Sequence, residues 1–229
     1  MDSSEISGAV TGDIYALINY PFATVDAALN DPAHWCDILI LHLNVKSCQA
    51  VIRPDAPTLL LRIGKKHDEA KDKAFPVEFA YRVAASYPSY LRIRLHAETG
   101  PFGTSNYQIA FDALPLESGR TFIHLAYSYD FGLTARLAMK GYLTTVGSGK
   151  VGFSLAEARP GGETALIGGV RGVVERNTMR YFLAIEAYLA ALDAPPADQL
   201  DLRLHRWNRD ARLSIWPIPM TSVSPPVWR

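Results

Sequence analysis

Between residues 43 and 157 apolar side chains recur at every second position, and this period of two restricts the fold more than any other feature of the chain. Val77, Phe79, Tyr81 and Val83 alternate with Glu78, Ala80, Arg82 and Ala84. Leu91, Ile93 and Leu95 alternate with Arg92, Arg94 and His96, and Tyr107, Ile109 and Phe111 with Gln108, Ala110 and Asp112. Ile123, Leu125, Tyr127, Tyr129 and Phe131 alternate with Phe122, His124, Ala126, Ser128 and Asp130. Successive side chains of a strand point to opposite faces, so each run has one apolar and one wet face. That is the pattern of an antiparallel sheet with a core on one side and water on the other. Less regular strands fit 45–53, 58–64 and 150–156, and the connections hold turn residues such as Pro54-Asp55-Ala56-Pro57 and Glu117-Ser118-Gly119.

Helical signals flank this region. Residues 13–20 read as a first strand stopped by Pro21. Thr24 can cap a short helix bearing Val25, Ala28 and Leu29 on one face, and Asp31-Pro32 opens a second one around Trp35 to Leu41. A helical insert, Leu133 to Leu143, follows the last regular strand. From Val170 a long helix carries Val174, Tyr181, Ile185, Tyr188, Leu189 and Leu192 at helical spacing, and Pro195-Pro196 ends it. Residues 198–213 fit either a helix, with Asp198 as cap, or a strand, since Leu200-Asp-Leu-Arg-Leu alternates; the cap favours the helix. The final stretch, with Pro217, Pro219, Pro225 and Pro226, is expected to be irregular. The division expected is one domain over 1–194 and an extension over 195–229, packed on it or partly irregular.

Composition removes several classes. The chain has 229 residues, 48% hydrophobic and 20% charged, which excludes a disordered or fibrous protein. Its 23 basic and 23 acidic residues cancel, arguing against a broad nucleic-acid surface. No apolar run reaches the roughly 18 residues of a membrane span. Six histidines are scattered with no pair at helical metal-ligand spacing, so no metal is expected. Thr145 to Lys150 has the look of a phosphate loop but lacks its first glycine and its final Ser/Thr, and reads as a turn. No Gly-x-Ser-x-Gly elbow is present.

The order strand, two short helices, antiparallel run and long C-terminal helix resembles the START-like (SRPBCC) superfamily, whose helix-grip fold is also called Bet v 1-like. Tyr20-Pro21-Phe22 with Val25, Leu29, Asp31-Pro32 and Trp35 carry the resemblance at the front, and Arg171 to Leu189 at the back. The insert at 133–143 and the tail after Pro195 depart from the basic fold. The resemblance implies an α+β domain, a curved antiparallel sheet wrapped around the long helix, with an elongated apolar cavity between them for a lipid-like or other hydrophobic molecule. It permits a carrier or sensor, and equally a polyketide aromatase/cyclase-type enzyme; the absence of a catalytic constellation favours the carrier. An interaction module built on Trp207, Trp216 and Trp228 is a third reading.

Independently of any family, Tyr81, Tyr107, Tyr127, Tyr129 and Tyr181 fall on inward faces, where each offers an apolar body and a hydroxyl that needs a partner. They would fill an ordinary core or line a cavity. The expected lining is Phe79, Tyr81, Tyr107, Phe111, Tyr127, Tyr129 and Phe153 from the sheet, facing Tyr181, Ile185 and Tyr188 from the helix. Glu175, Arg176, Arg180 and Glu186 read first as a solvated helix face. In the sharper reading Arg176 or Arg180 is a polar anchor at the cavity mouth for an anionic head group or a polyketide oxygen. No cofactor and no nucleic-acid partner is expected; transient contact with a membrane or a partner protein is compatible with this reading.

Cys36 and Cys48, the only two cysteines, sit in one local unit of helix and strand. If the helix packs back along the strand they pair as a disulfide; otherwise they are two buried thiols. A bridge would point to an exported, periplasmic protein whose signal was trimmed, since the start Met-Asp-Ser-Ser-Glu has no signal character; without it the cytoplasm is the default.

Overall fold

The computed structural model describes residues 1–64, 70–145, 147, 149–156 and 165–213. The alternating runs form long strands: β5 (Phe75–Tyr87), β6 (Tyr90–Thr99), β7 (Thr104–Pro115) and β8 (Thr121–Phe131). Ahead of them lie β1 (Asp2–Ile6), β2 (Ala9–Ile18), helices α1 (Phe22–Leu29) and α2 (Pro32–Leu39), β3 (Val45–Ile52) and β4 (Pro57–Ile63). After β8 come α3 (Leu133–Thr144), α4 (Gly169–Leu189) and α5 (Pro196–Leu213). The eight strands make one antiparallel sheet in the order β1-β2-β8-β7-β6-β5-β4-β3. Its inner face packs on α1, α2 and α4, which is the helix-grip arrangement expected.

Several local expectations change. The hairpin β1–β2 is longer than the single strand read at 13–20; Ser7 and Gly8, both at positive φ (51° and 89°), turn the chain there. Pro21 rather than Thr24 occupies the α1 N-cap, whereas Asp31 caps α2 by accepting from the Ala33 N–H at 2.7 Å. Residues 150–156 form no strand of the sheet. They pair instead with residues 165–167, through Gly152 N–H to Ile167 O, Ile167 N–H to Ser154 O and Ala156 N–H to Ala165 O around the bridge Leu155 to Leu166, while the N–H groups of Phe153 and Ser154 tie the segment to Glu175 of α4. Phe153 therefore does not project from the sheet, and among the described residues it makes no ring contact.

Close packing of α4 on the sheet depends on a glycine. A Cβ at Gly12 of β2 would lie 2.5 Å from Thr178 Oγ1 and 3.4 Å from the Val174 carbonyl, so only a bare backbone lets the helix sit this near. The end of α1 is closed by three side chains that donate to or contact its last carbonyls. Trp35 Nε1 and the Tyr81 hydroxyl both donate to Leu29 O, at 2.8 and 3.0 Å, and His34 Nδ1 lies 2.8 Å from Ala28 O.

Cys36 of α2 and Cys48 of β3 form a disulfide, with Cα atoms 5.2 Å apart. α5 lies against α4, burying Trp207; Arg203 reaches back to Asp37 of α2 at 2.8 Å and covers the Tyr188 ring at 4.3 Å. Residues 214–229, including Trp216 and Trp228, lie outside the described residues. No helix among the described residues is long and apolar enough to cross a membrane.

Candidate functional site

Alternation on β7 and β8 delivers Tyr107, Tyr127 and Tyr129 to the inner face, and helical spacing on α4 brings Tyr181 down onto them. Tyr107 stacks on Tyr129 with ring centres 5.3 Å apart. Tyr127 lies 5.7 Å from Tyr129, 6.2 Å from Tyr107 and 5.1 Å from Tyr181. Phe79 meets the edge of Tyr107 at 6.5 Å, and Phe131, unforeseen as lining, meets Tyr129 at 6.3 Å. The Tyr107 hydroxyl pairs with Thr104 Oγ1 at 2.8 Å, and the Tyr127 and Tyr181 hydroxyls interact with each other. Burial raises the pKa of all four tyrosines, so each hydroxyl keeps its proton at neutral pH.

The remaining expected lining residues are placed elsewhere in the core. Tyr81 spends its hydroxyl on the end of α1, Phe111 meets Trp35 edge-on at 6.3 Å, and Tyr188 faces His34 and Arg203. Ile185 is fully buried on α4. Two hollows outlined by described residues open to solvent, and neither is lined by these tyrosines, though Phe131, which meets Tyr129, borders the first. One, of about 370 Å³, is bordered by Ser7, Gly8, Phe131 and Arg136; the other, of about 590 Å³, lies on the outer sheet face beside Arg53, Glu78 and His96. The tyrosine rings themselves are in mutual contact.

Next to Tyr181 the polar groups change character. His42, in the turn after α2, stacks on the Tyr181 ring at 4.9 Å. Burial and then the nearby Arg180 push its pKa down to about 3, so the imidazole is neutral. Its Nδ1 faces the Asn44 N–H at 3.5 Å, which leaves the proton on Nε2, and Nε2 is buried without a partner among the described residues. Arg180 donates to Asn177 Oδ1 at 2.8 Å, and Arg176 to the Val151 carbonyl at 3.4 Å. Neither guanidinium has a carboxylate partner among the described residues. Burial lowers the pKa of both, and for Arg180, brought down to about 10, the neighbouring Arg176 adds to the effect. Tyr142 of α3 stands close to both arginines, and Lys150 lies over its ring at 4.8 Å and donates to its hydroxyl.

One residue earlier on α4, Glu175 is not part of a solvated face: it is completely buried. Its carboxylate accepts from Ser3 Oγ at 2.6 Å, from Ser154 Oγ, and from the N–H groups of Phe153 and Ser154 at 2.6 and 3.0 Å. Burial alone would raise its pKa, but these hydrogen bonds outweigh burial and hold it below the ordinary carboxylate value.

The outer face of the sheet carries a separate polar network. Asp112 accepts from Tyr90 at 2.5 Å and Arg92 at 2.6 Å, with Arg94 at 3.3 Å, while His124 contacts Asp13 at 2.7 Å and stacks on Tyr15. Among the described residues no three His, Cys, Asp or Glu side chains are grouped to hold a metal. Sequence reasoning passed over His42, Tyr142 and Lys150. His42 had a signal, a lone polar residue inside the apolar run Ile38 to Leu43.

No known protein family matches the chain, and no curated protein does. Solved structures resemble it at low identity. The crystal structure of Ara h 8.0201 is 11% identical, with 80% of this chain and 99% of that one covered at a TM-score of 0.43. A conserved protein from Geobacillus kaustophilus is 14% identical, with 79% and 95% covered and a TM-score of 0.44. Norcoclaurine synthase from Thalictrum flavum, in complex with dopamine and hydroxybenzaldehyde, is 11% identical, with 62% and 82% covered and a TM-score of 0.41. None of these carries a residue role over to this chain.

Proposed function

We propose that this protein binds a hydrophobic small molecule between the inner face of the sheet and α4, and that it acts as a carrier or sensor rather than as an enzyme. The observation that carries this reading is the grouping of Tyr107, Tyr127, Tyr129 and Tyr181 on facing elements. Three buried tyrosine hydroxyls and the half-buried one of Tyr107, concentrated in one place, are unfavourable for a core whose only task is packing, where Leu or Phe would serve. They suit a site that offers ring faces to an apolar body and hydroxyls to its few polar atoms. A ligand enters here by parting the rings, with Phe79 and Phe131 at the border and Tyr81, Phe111, Ile185 and Tyr188 as the surrounding frame. Phe153 is left out of the site because its segment is bound to Glu175.

The aromatase/cyclase-type reading draws on the interacting hydroxyls of Tyr127 and Tyr181 beside His42. The raised tyrosine pKa values disfavour it, since such a hydroxyl is a weak proton donor and its base form, the phenolate, is scarcely populated near neutral pH. Mass spectrometry of organic extracts from the purified protein separates the two. A co-purifying hydrophobic compound whose retention falls in Tyr127→Ala and persists in Ala110→Val, on the outer face, supports the carrier. Turnover of a polyketide mimic would replace it with the enzyme.

A further inference from the structure

His42 and Arg180 lie next to Tyr181, and Arg176, Arg180 and Lys150 share Tyr142 as a neighbour, its hydroxyl accepting from Lys150; among the described residues the charged groups here are of one sign. Arg176, Arg180, Lys150 and His42 Nε2 are all donors, and three of them are cations. Elsewhere among the described residues six arginines find carboxylates, Arg53 with Glu78, Arg92 and Arg94 with Asp112, Arg136 with Glu5, Arg203 with Asp37, and Arg209 with Asp210, while Arg62, Arg120 and Arg171 each donate to a single neutral oxygen and stand apart from one another in the chain. Arg176 and Arg180, one helical turn apart on one face of α4, are half-buried and meet only neutral oxygens. Two like charges held together with no counter-ion among the described residues, beside a buried N–H with no acceptor among them, are costly in a finished core. The groups are also graded in depth: Lys150 is exposed, the arginines are half-buried, and His42 is buried against Tyr181.

We infer that this cluster is a binding site for the oxyanion head of an amphipathic ligand. Arg176 and Arg180 grip the head, the His42 Nε2–H donates to it from the deep side, and Lys150 faces it from the solvent side. The apolar part of the same molecule lies among Tyr127, Tyr181, Tyr107 and Tyr129. The inference rests on the hydrophobic-ligand reading and deepens it: the cargo is an anionic amphiphile, a long-chain carboxylate or phosphate monoester, and not a neutral sterol-like or hydrocarbon compound. Guanidinium groups suit either head because their planar fork matches two oxygens at once.

Three probes with one tail test it on the whole chain by isothermal titration calorimetry: dodecanoate, dodecyl phosphate and 1-dodecanol. The anionic probe that matches the natural head should bind about 10–100-fold more tightly than 1-dodecanol, the range expected of charge-assisted hydrogen bonds. The ratio between dodecanoate and dodecyl phosphate then tells carboxylate from phosphate cargo. The double variant Arg176→Gln, Arg180→Gln should bring both anions down to the 1-dodecanol level and leave 1-dodecanol itself unchanged. Arg180→Lys, which keeps the charge and loses the fork, should retain part of the preference, and a circular-dichroism spectrum like that of the unaltered protein confirms that each variant is folded. Equal binding of all three probes to the unaltered protein, or a head preference that survives the double variant, overturns the inference while the hydrophobic-ligand reading stands. Failure of all three to bind overturns both.

Discussion

Glu175 and Arg176 are neighbours on α4, and their surroundings are opposite. Glu175 is fully buried and receives four hydrogen bonds from two serine hydroxyls and two backbone N–H groups. Arg176, with Arg180 one turn on, is half-buried and has a backbone carbonyl and an amide oxygen for company. The two differ in the compensation for burial. For Glu175 it is built in by folding: the carboxylate gathers the start of β1 and residues 152–154 onto α4. For the arginines no carboxylate among the described residues supplies it. A charge whose hydrogen bonds are all made by the fold reads as architecture; the arginines, which meet neutral oxygens, do not.

The strongest way to break this contrast is Glu175→Ala, which strands four donors in the core. It should destabilise the protein by about 3–5 kcal/mol in urea denaturation at neutral pH. The pH dependence has a definite sign. Because the folded-state pKa of Glu175 lies below its unfolded value of about 4.5, its contribution is complete above that value and is lost as pH falls through the folded pKa. The stability gap between the unaltered protein and Glu175→Gln should therefore narrow in acid; a gap that stays constant down to pH 3 would show that the carboxylate charge is not what the four donors stabilise.

Gly152→Ala tests the same nest from the other side. The added Cβ would run into the Glu175 carboxylate and come within 2.7 Å of Ile167 Cγ2, so the loop must move off and lengthen the hydrogen bonds at 153–154. A loss of about 1–3 kcal/mol in thermal or urea unfolding is expected. The smallest effect sharpens the contrast by reversing its sign. Arg180→Gln removes a cation that the fold does not compensate and should raise stability by about 0.5–2 kcal/mol in the ligand-free protein. A loss of comparable size would mean that the guanidinium already has what it needs.

The sheet was legible because its sequence obeys one simple rule over a long distance. Val77 to Tyr81 or Ile123 to Phe131 can satisfy a one-sided core only as strands, and both do so in the register that alternation demands, whereas Val83, next in the β5 series, is exposed where the register shifts. The chemistry of residues 150–156 was not legible for the opposite reason. Their apolar residues resemble a strand, but two of their backbone N–H groups, those of Phe153 and Ser154, go to a carboxylate 22 and 21 residues away, a pairing that no local pattern encodes. The same limit applies to the site. Facing tyrosines could be read from strand and helix periodicity, since each needs only its own element. Glu175 and Arg176 look alike in sequence, two charged residues in an amphipathic helix, and only tertiary neighbours separate the satisfied one from the unsatisfied one. His42 was hidden in the same way, because its stacking partner Tyr181 lies on an element 139 residues further along.

The bond between Cys36 and Cys48 joins α2 to β3, and β3 is the outermost strand of an open sheet, hydrogen-bonded on one side only. An outermost strand is where a sheet frays first and where a foreign strand can add itself. With the sulfurs joined, β3 cannot peel away unless α2, whose Trp35, Ile38 and Leu39 are sunk in the core, comes with it. Oxidation thus works as a hem: it turns the loosest margin of the sheet into a part that must let go together with the interior. In surroundings that keep thiols reduced, the same margin is held by packing and ladder bonds alone, and guarding it against unwanted self-association falls to its side chains, Lys46 and Gln49 among them.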